Sequence, residues 1–230
     1  MRLFRTKKVR PYPLTLLLMA GLATIISGLS SAEMRPATNP LLYQIEQQHG
    51  GYARKRVIIW EQLIKHNKNV DDRKKLQLVN NFFNKMTFAN DIDHWGKEDY
   101  WATPLQMLTS NGGDCEDYSI AKYFTLRKMG IPAERMRLTY VKALELNQAH
   151  MVLSYYPTPD AEPLVLDNLV NDIKTVSNRQ DLLPVYSFNG TDLWLSKKSG
   201  SDQHIGQSDQ LSRWQSVIAR INDEESHLFH

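Results

Sequence analysis

The chain has 230 residues, with 28 Lys and Arg against 25 Asp and Glu, and a single cysteine. The basic excess comes from Arg2, Arg5, Lys7, Lys8 and Arg10 at the very start, so it is no argument for a nucleic-acid partner. One thiol excludes an internal disulfide, which leaves packing or a bound ion to supply stability.

An apolar run from Leu14 to about Ile26 follows the basic stretch, and then come the small residues Ser27 to Ala32. That order reads as a secretory signal over residues 1–32, cleaved after Ala32. The run is shorter than the roughly 20 residues of a spanning helix, which disfavours an uncleaved anchor. Removing 32 of 230 residues leaves 198 and takes away five bases and no acid, so the net charge passes from +3 to −2. About 200 residues without an internal repeat make one domain the simplest expectation.

Residues 33–51 are expected to form an N-terminal arm, its first stretch from Glu33 to Pro40 polar and loose, and the folded domain to cover residues 52–230. From Tyr52 to about His66, Val57, Ile58, Trp60, Leu63 and Ile64 recur at helical spacing. A second helix is predicted from an Asp71 N-cap to Met86, with Leu76, Val79, Phe82, Phe83 and Met86 as its inward stripe. Residues 87–113 read as irregular. After Asn111, Gly112 and Gly113, a helix is predicted from Cys115 to Met129, ended by Gly130 and Pro132. Strands are expected over Met136–Val141, Ala149–Tyr156 and Leu164–Leu169, the last two separated by the turn around Pro157 to Asp160. Leu211, Trp214, Val217, Ile218 and Ile221 mark a final amphipathic helix. Helices followed by a meander of strands give an α+β fold.

Cys115 stands at a predicted helix start, where unpaired N–H groups and the dipole lower a thiol pKa and can receive an oxyanion. Gly112 and Gly113 would let the backbone approach a substrate closely. A buried, inert Cys is the plainer alternative, and the neighbouring Asp114, Glu116 and Asp117 speak against it. A hairpin turning between Thr158 and Pro159 sets His150 and Asp167 opposite one another on adjacent strands, the arrangement in which a carboxylate orients an imidazole. Cys115 as nucleophile, His150 as base and Asp167 as its orienting acid form the expected catalytic set. The acids beside the thiol oppose its ionisation unless something positive neutralises them. Three hard oxygen ligands within four residues suit Ca²⁺, and they equally suit a solvated acidic helix start that needs no ion. Asp91, Asp93 or Asp99, or nearby carbonyls, could complete such a shell.

The segment Asn111 to Tyr118 (NGGDCEDY) resembles the nucleophile motif of the bacterial transglutaminase-like cysteine proteinases, and Asn147 to Leu153, Tyr155 to Asp160 and Val165 to Leu169 resemble that family's His and Asp segments. The resemblance runs from about Tyr52 to Leu195. It implies a papain/transglutaminase-like fold, with helices packed on a small antiparallel sheet. It also implies calcium dependence, with Asp114 and Glu116 as ligands and Asp117 next. The implied location is the periplasm. The implied substrate is an Ala-Ala bond near the N-terminus of a large surface adhesin of biofilms, and the implied regulator is an inner-membrane cyclic di-GMP receptor that sequesters the protease. Acyl transfer of the transglutaminase type, in which an amine resolves the thioester, would use the same three residues. A non-catalytic, calcium-stabilised binding module is the remaining reading.

Overall fold

A computed structural model describes residues 39–196 and 202–228. The signal segment and its cleavage point, and most of the loose arm, lie outside the described residues. The chain enters α1 (Pro40–His66), capped by the Asn39 side chain with Pro40 in its first turn. This helix begins well before Tyr52, within the stretch expected to be an arm. Gly50, at φ 82°, breaks it into two segments, and Ile45 of the first segment is buried with Val57 and Trp60 of the second. Sparse apolar residues and the Gly50-Gly51 pair hid that first segment.

Helix α2 (Asp72–Phe83) starts at the expected N-cap: Asp71 accepts the Lys74 N–H at 2.9 Å. The stretch expected to be irregular is ordered instead. It contains β1 (Thr87–Phe88), α3 (Asp91–Trp95), α4 (Pro104–Ser110) and β2 (Gly112–Gly113), with β1 and β2 paired in parallel. Elements this short carry no periodicity to read. A full capping box between Thr103 and Gln106 begins α4.

Helix α5 (Cys115–Lys128) occupies the predicted span and ends at Gly130, φ 91°. Behind it stands a seven-stranded antiparallel sheet of β3 (Met136–Ala143), β4 (Gln148–Tyr155), β5 (Leu164–Leu166), β6 (Lys174–Thr175), β7 (Leu182–Phe188), β8 (Asp192–Leu195) and β9 (Gln203–Gln207). Its spatial order is β6-β5-β4-β3-β7-β8-β9. The α+β class holds, on a larger sheet than expected. Helix α6 (Ser212–Leu228) closes the chain.

Leu138, Met151, Leu153 and Leu166 face the helices and form one core with Ile120, Leu126, Leu76 and Val79. The alternate residues Val141, Val152 and Val165 form a smaller cluster on the other face. Trp214 of α6 inserts between Phe124, Tyr123 and Phe188 at centroid distances of 5.3–5.8 Å. Each such buried aromatic contributes roughly 1.5–3 kcal/mol of transfer free energy. The described residues fall within one compact unit, and none of their helices is long and apolar enough to cross a membrane.

Candidate active site

Helix α5 packs on β4 and β3, and its first turn lies against the main chain of β4. The Met151 N–H lies near enough to Cys115 to draw its thiol pKa down, and the Met151 carbonyl accepts from Ser119 Oγ at 3.0 Å. Strand β5 stops at Leu166, so this part of β4 has no strand partner on that side. The thiol therefore sits beside the backbone of the residue that follows His150. By strand alternation His150 shares the Val152 face and Met151 the helix face.

His150 and Asp167 are brought together, though not by the expected register. The β4–β5 pairing sets Leu153 opposite Leu166, which slips the hairpin by two residues and makes His150 and Asp167 diagonal neighbours. Eight residues with three prolines (Pro157, Pro159, Pro163) separate the strands and lengthen the turn. A two-residue slip preserves the face, so the pair still meets: His150 Nε2 lies 2.8 Å from Asp167 Oδ1. Nδ1 is thereby left for other work. The carboxylate also accepts the Leu169 N–H at 3.0 Å and Arg179 Nη2 at 2.7 Å. Burial pushes the Asp167 carboxyl up, but the His150 hydrogen bond and charge, the Leu169 N–H and Arg179 outweigh it and hold it down at about 2.

The acids at the head of α5 form two groups that share Asp114. Oxygens of Asp91, Asp114 and Asp117 lie within 4.8 Å of one another, and so do ligand atoms of Asp114, Cys115 and Glu116. Glu116 Oε2 accepts from the thiol at 2.8 Å. Asp117 is fully buried and accepts the Ala102 N–H at 2.6 Å and Trp95 Nε1 at 3.3 Å. Asp91 accepts the Tyr100 N–H. One oxygen each of Asp91 and Asp114 is buried with no partner among the described residues. Burial, then the charge of Glu116, pushes the Asp114 carboxyl up to about 9. Burial also pushes Asp117 up to about 7, against the Ala102 N–H, and Asp91 up to about 6, against the Tyr100 N–H.

Such crowding, with orphaned oxygens, fits a hard divalent cation of the Ca²⁺ kind, which takes six to eight oxygens. Of the three acids held in reserve by the sequence, Asp91 joins the group. Asp93 is exposed, and Asp99 is exposed and paired with Arg213. The Cys115 thiol is pushed well up by burial, by the charge and hydrogen bond of Glu116 and by Asp114, against the smaller opposing pull of the Met151 N–H.

The glycines have a packing role that the sequence did not show. A Cβ on Gly112 would meet the Thr87 carbonyl at 2.9 Å, and one on Gly113 would meet Asp117 Cβ at 2.7 Å. They make room for β1 and for the Asp117 side chain. Sequence reasoning missed Arg179 and Lys122 altogether. Lys122 lies on α5 beneath the sheet, where burial lowers its pKa to about 7 against the pull of Asp167. A lysine in the middle of an otherwise buried helix face was the one available signal.

Comparison with known proteins is consistent with this geometry. The family described as bacterial transglutaminase-like cysteine proteinase (BTLCP) matches residues 58–196. Solved structures of Legionella pneumophila LapG are 42% identical. The EGTA-treated form has a TM-score of 0.70, with 79% of this chain and 96% of that chain covered. The calcium-bound form has a TM-score of 0.69, with 79% and 98% covered. No curated protein sequence matches the chain. With a matched segment that spans α1 to β8 and relatives at this identity over nearly their whole length, the chain belongs to the bacterial transglutaminase-like cysteine proteinases.

Proposed function

We propose that this cysteine proteinase is a calcium-dependent endopeptidase of the periplasm that cuts the N-terminal region of a large surface adhesin and so releases it. The observation that carries the chemistry is the buried His150–Asp167 pair beside the strand edge where the Met151 N–H meets Cys115 Sγ. In the reaction, Cys115 sulfur attacks the scissile carbonyl and a C–S bond forms. His150 accepts the thiol proton and delivers it to the leaving amine as the C–N bond breaks. Main-chain N–H groups at the head of α5 face the developing oxyanion. Water, deprotonated by His150, then resolves the thioester. Asp167 keeps the imidazole in the tautomer with Nδ1 free towards the thiol.

Asp114, Glu116, Asp117 and Asp91 are the residues that would hold calcium, whose charge offsets the carboxylates flanking the nucleophile. The calcium-bound LapG structure supports this part of the reading. The adhesin substrate with its Ala-Ala site, the periplasmic location and regulation by an inner-membrane cyclic di-GMP receptor rest on resemblance to LapG.

The deciding experiment incubates the mature protein with the N-terminal region of a giant repeat adhesin, with calcium, with chelator, and with an added amine. Cleavage at an Ala-Ala bond in calcium alone is the expected result. An intact substrate under all conditions would refute the endopeptidase reading, and an amine adduct would move it to acyl transfer.

A further inference from the structure

We infer that Arg179, itself clamped by Asp181, is a positioning residue that fixes the Asp167 carboxylate against His150 and compensates its charge. The inference rests on the catalytic reading of His150 and Asp167 given above. Arg179 follows the short 3₁₀ turn Val176–Asn178, and its backbone is pinned on both sides: its N–H donates to the Val176 carbonyl, and its own carbonyl accepts the Leu182 N–H, each at 3.0 Å. The side chain is 3% exposed and that of Asp167 is fully buried. Nε and Nη2 grip Asp181 at 2.9 and 2.8 Å, while the same Nη2 reaches Asp167 Oδ2 at 2.7 Å. Asp181 thus holds the guanidinium plane in a two-point grip, and that plane aims one N–H at the oxygen of Asp167 that His150 does not use.

Burial of an arginine is costly, and a buried ion pair is weak evidence of a purely stabilising role. Here the cost is greater, because Nη1 is buried without a partner among the described residues. Packing alone would be better served by an apolar side chain. The arrangement is explained if the carboxylate behind His150 must stay charged and stationary while the imidazole gains and loses a proton. The charged groups facing Asp167 are His150 from β4, Arg179 from the β6–β7 connection and Lys122 from α5, with Asp181 behind Arg179. Among the described residues Lys122 makes no direct hydrogen bond to the carboxylate, and Arg179 is the carboxylate's only cationic side-chain partner apart from His150.

The test compares Arg179→Met, Arg179→Lys and Asp181→Asn with the wild-type full-length protein. Readouts are kcat and KM on the adhesin fragment, the acid limb of the kcat profile, and a carbon-13 carboxyl NMR titration of Asp167. Arg179→Met is expected to lower kcat roughly ten- to a hundredfold, as when other partners that orient a site residue are removed. KM should not change, because the buried side chain cannot touch substrate. Both the acid limb and the Asp167 titration should move to higher pH by more than a unit, as on loss of an adjacent opposite charge. Arg179→Lys should restore the position of the acid limb but only part of kcat, since an ammonium lacks the fork that orients the carboxylate.

If Arg179→Met does not fold, Asp181→Asn decides. Asp181 is partly exposed, and its loss should lower kcat severalfold at an unchanged melting temperature. An unaltered Asp167 titration in Arg179→Met, or wild-type kcat in the folded variants, overturns the inference. Failure of the endopeptidase reading shows separately, as no turnover by the wild type. In that case the NMR titration alone decides whether Arg179 controls Asp167.

Discussion

Without a cation, Asp91, Asp114 and Asp117 crowd their oxygens within 4.8 Å, two of them unpartnered. A carboxyl whose folded pKa is raised binds protons that the unfolded chain has already released. The stability it supports is therefore full at low pH and is lost as pH rises through the folded value. Asp117 is fully buried and moves from 3.8 to about 7. At about 1.4 kcal/mol for each of roughly three pH units, ionising it in place costs on the order of 4 kcal/mol. A bound cation removes that cost by favouring the ionised form. At about 2–4 °C per kcal/mol for a domain of this size, the melting temperature of calcium-loaded protein should exceed that of calcium-stripped protein by on the order of 10 °C at pH 8. At pH 5 the gap should shrink to a small fraction of this, because the acids are largely protonated in the stripped protein. Circular-dichroism melts of loaded and stripped protein at both pH values read the gap directly, and titrating groups remote from the site cancel between the two forms. A gap of equal size at pH 5 and pH 8, or none at pH 8, would refute the assignment of these acids to a cation.

Cys115→Ala should abolish peptide cleavage while leaving the melting temperature within a few degrees, because the half-buried thiol leaves little cavity; residual turnover by this variant would remove Cys115 as nucleophile. His150→Ala should lose activity almost as completely, and Asp167→Asn should lose several orders of magnitude of kcat, because an amide can hold the wrong tautomer. Gly113→Ala should destabilise the fold by about 3 kcal/mol, the upper end for overpacking, since its Cβ would collide with the Asp117 side chain; a chemical denaturation curve measures this. Lys122, lowered to about 7 by burial, binds fewer protons folded than unfolded above that value, so it makes stability rise with pH between about 7 and 10.5. Lys122→Met should flatten that rise and stabilise the protein most below pH 7, as read by denaturation midpoints across pH.

Local signals in the sequence were legible, and long-range ones were not. The head of α5 could be read because Cys115 and three acids are contiguous, and the helix and its glycine stop obey ordinary capping rules. The His150–Asp167 partnership could be read from strand parity, which survives the two-residue slip, whereas the register itself depended on a proline-rich turn whose geometry a sequence does not state. Asp91 could not be separated from Asp93 and Asp99, because what distinguishes it is burial against α5 and the Tyr100 N–H, not its neighbours in sequence. Strand β7 escaped notice because Pro184 interrupts its run. The sheet accommodates that proline where the pairing with β3 shifts between Tyr140 and Val141. Arg179 gave no sequence signal, since its meaning comes from two carboxylates that only the fold brings to it.

The two sides of the site are charged by different means, and the difference bears on control. Behind the imidazole, the buried Asp167 is compensated from within the chain, by Arg179 in direct contact and by Lys122 through space. Beside the thiol, Asp91, Asp114, Glu116 and Asp117 have no cationic side chain bonded to them among the described residues, and the thiol itself is held protonated by Glu116 and by burial. Both halves could in principle have been neutralised by arginines, since the same α5 already carries a buried lysine. On the proposed reading, leaving one half to a soluble cation would make the orienting pair permanent and the nucleophile conditional. On that reading ion loss should act on thiol ionisation and on the order of the Gly112-Gly113 turn, and should leave the His150–Asp167 bond in place. A chelated enzyme would then keep its His150–Asp167 hydrogen bond, visible as an unchanged imidazole N–H resonance, while cleavage stops.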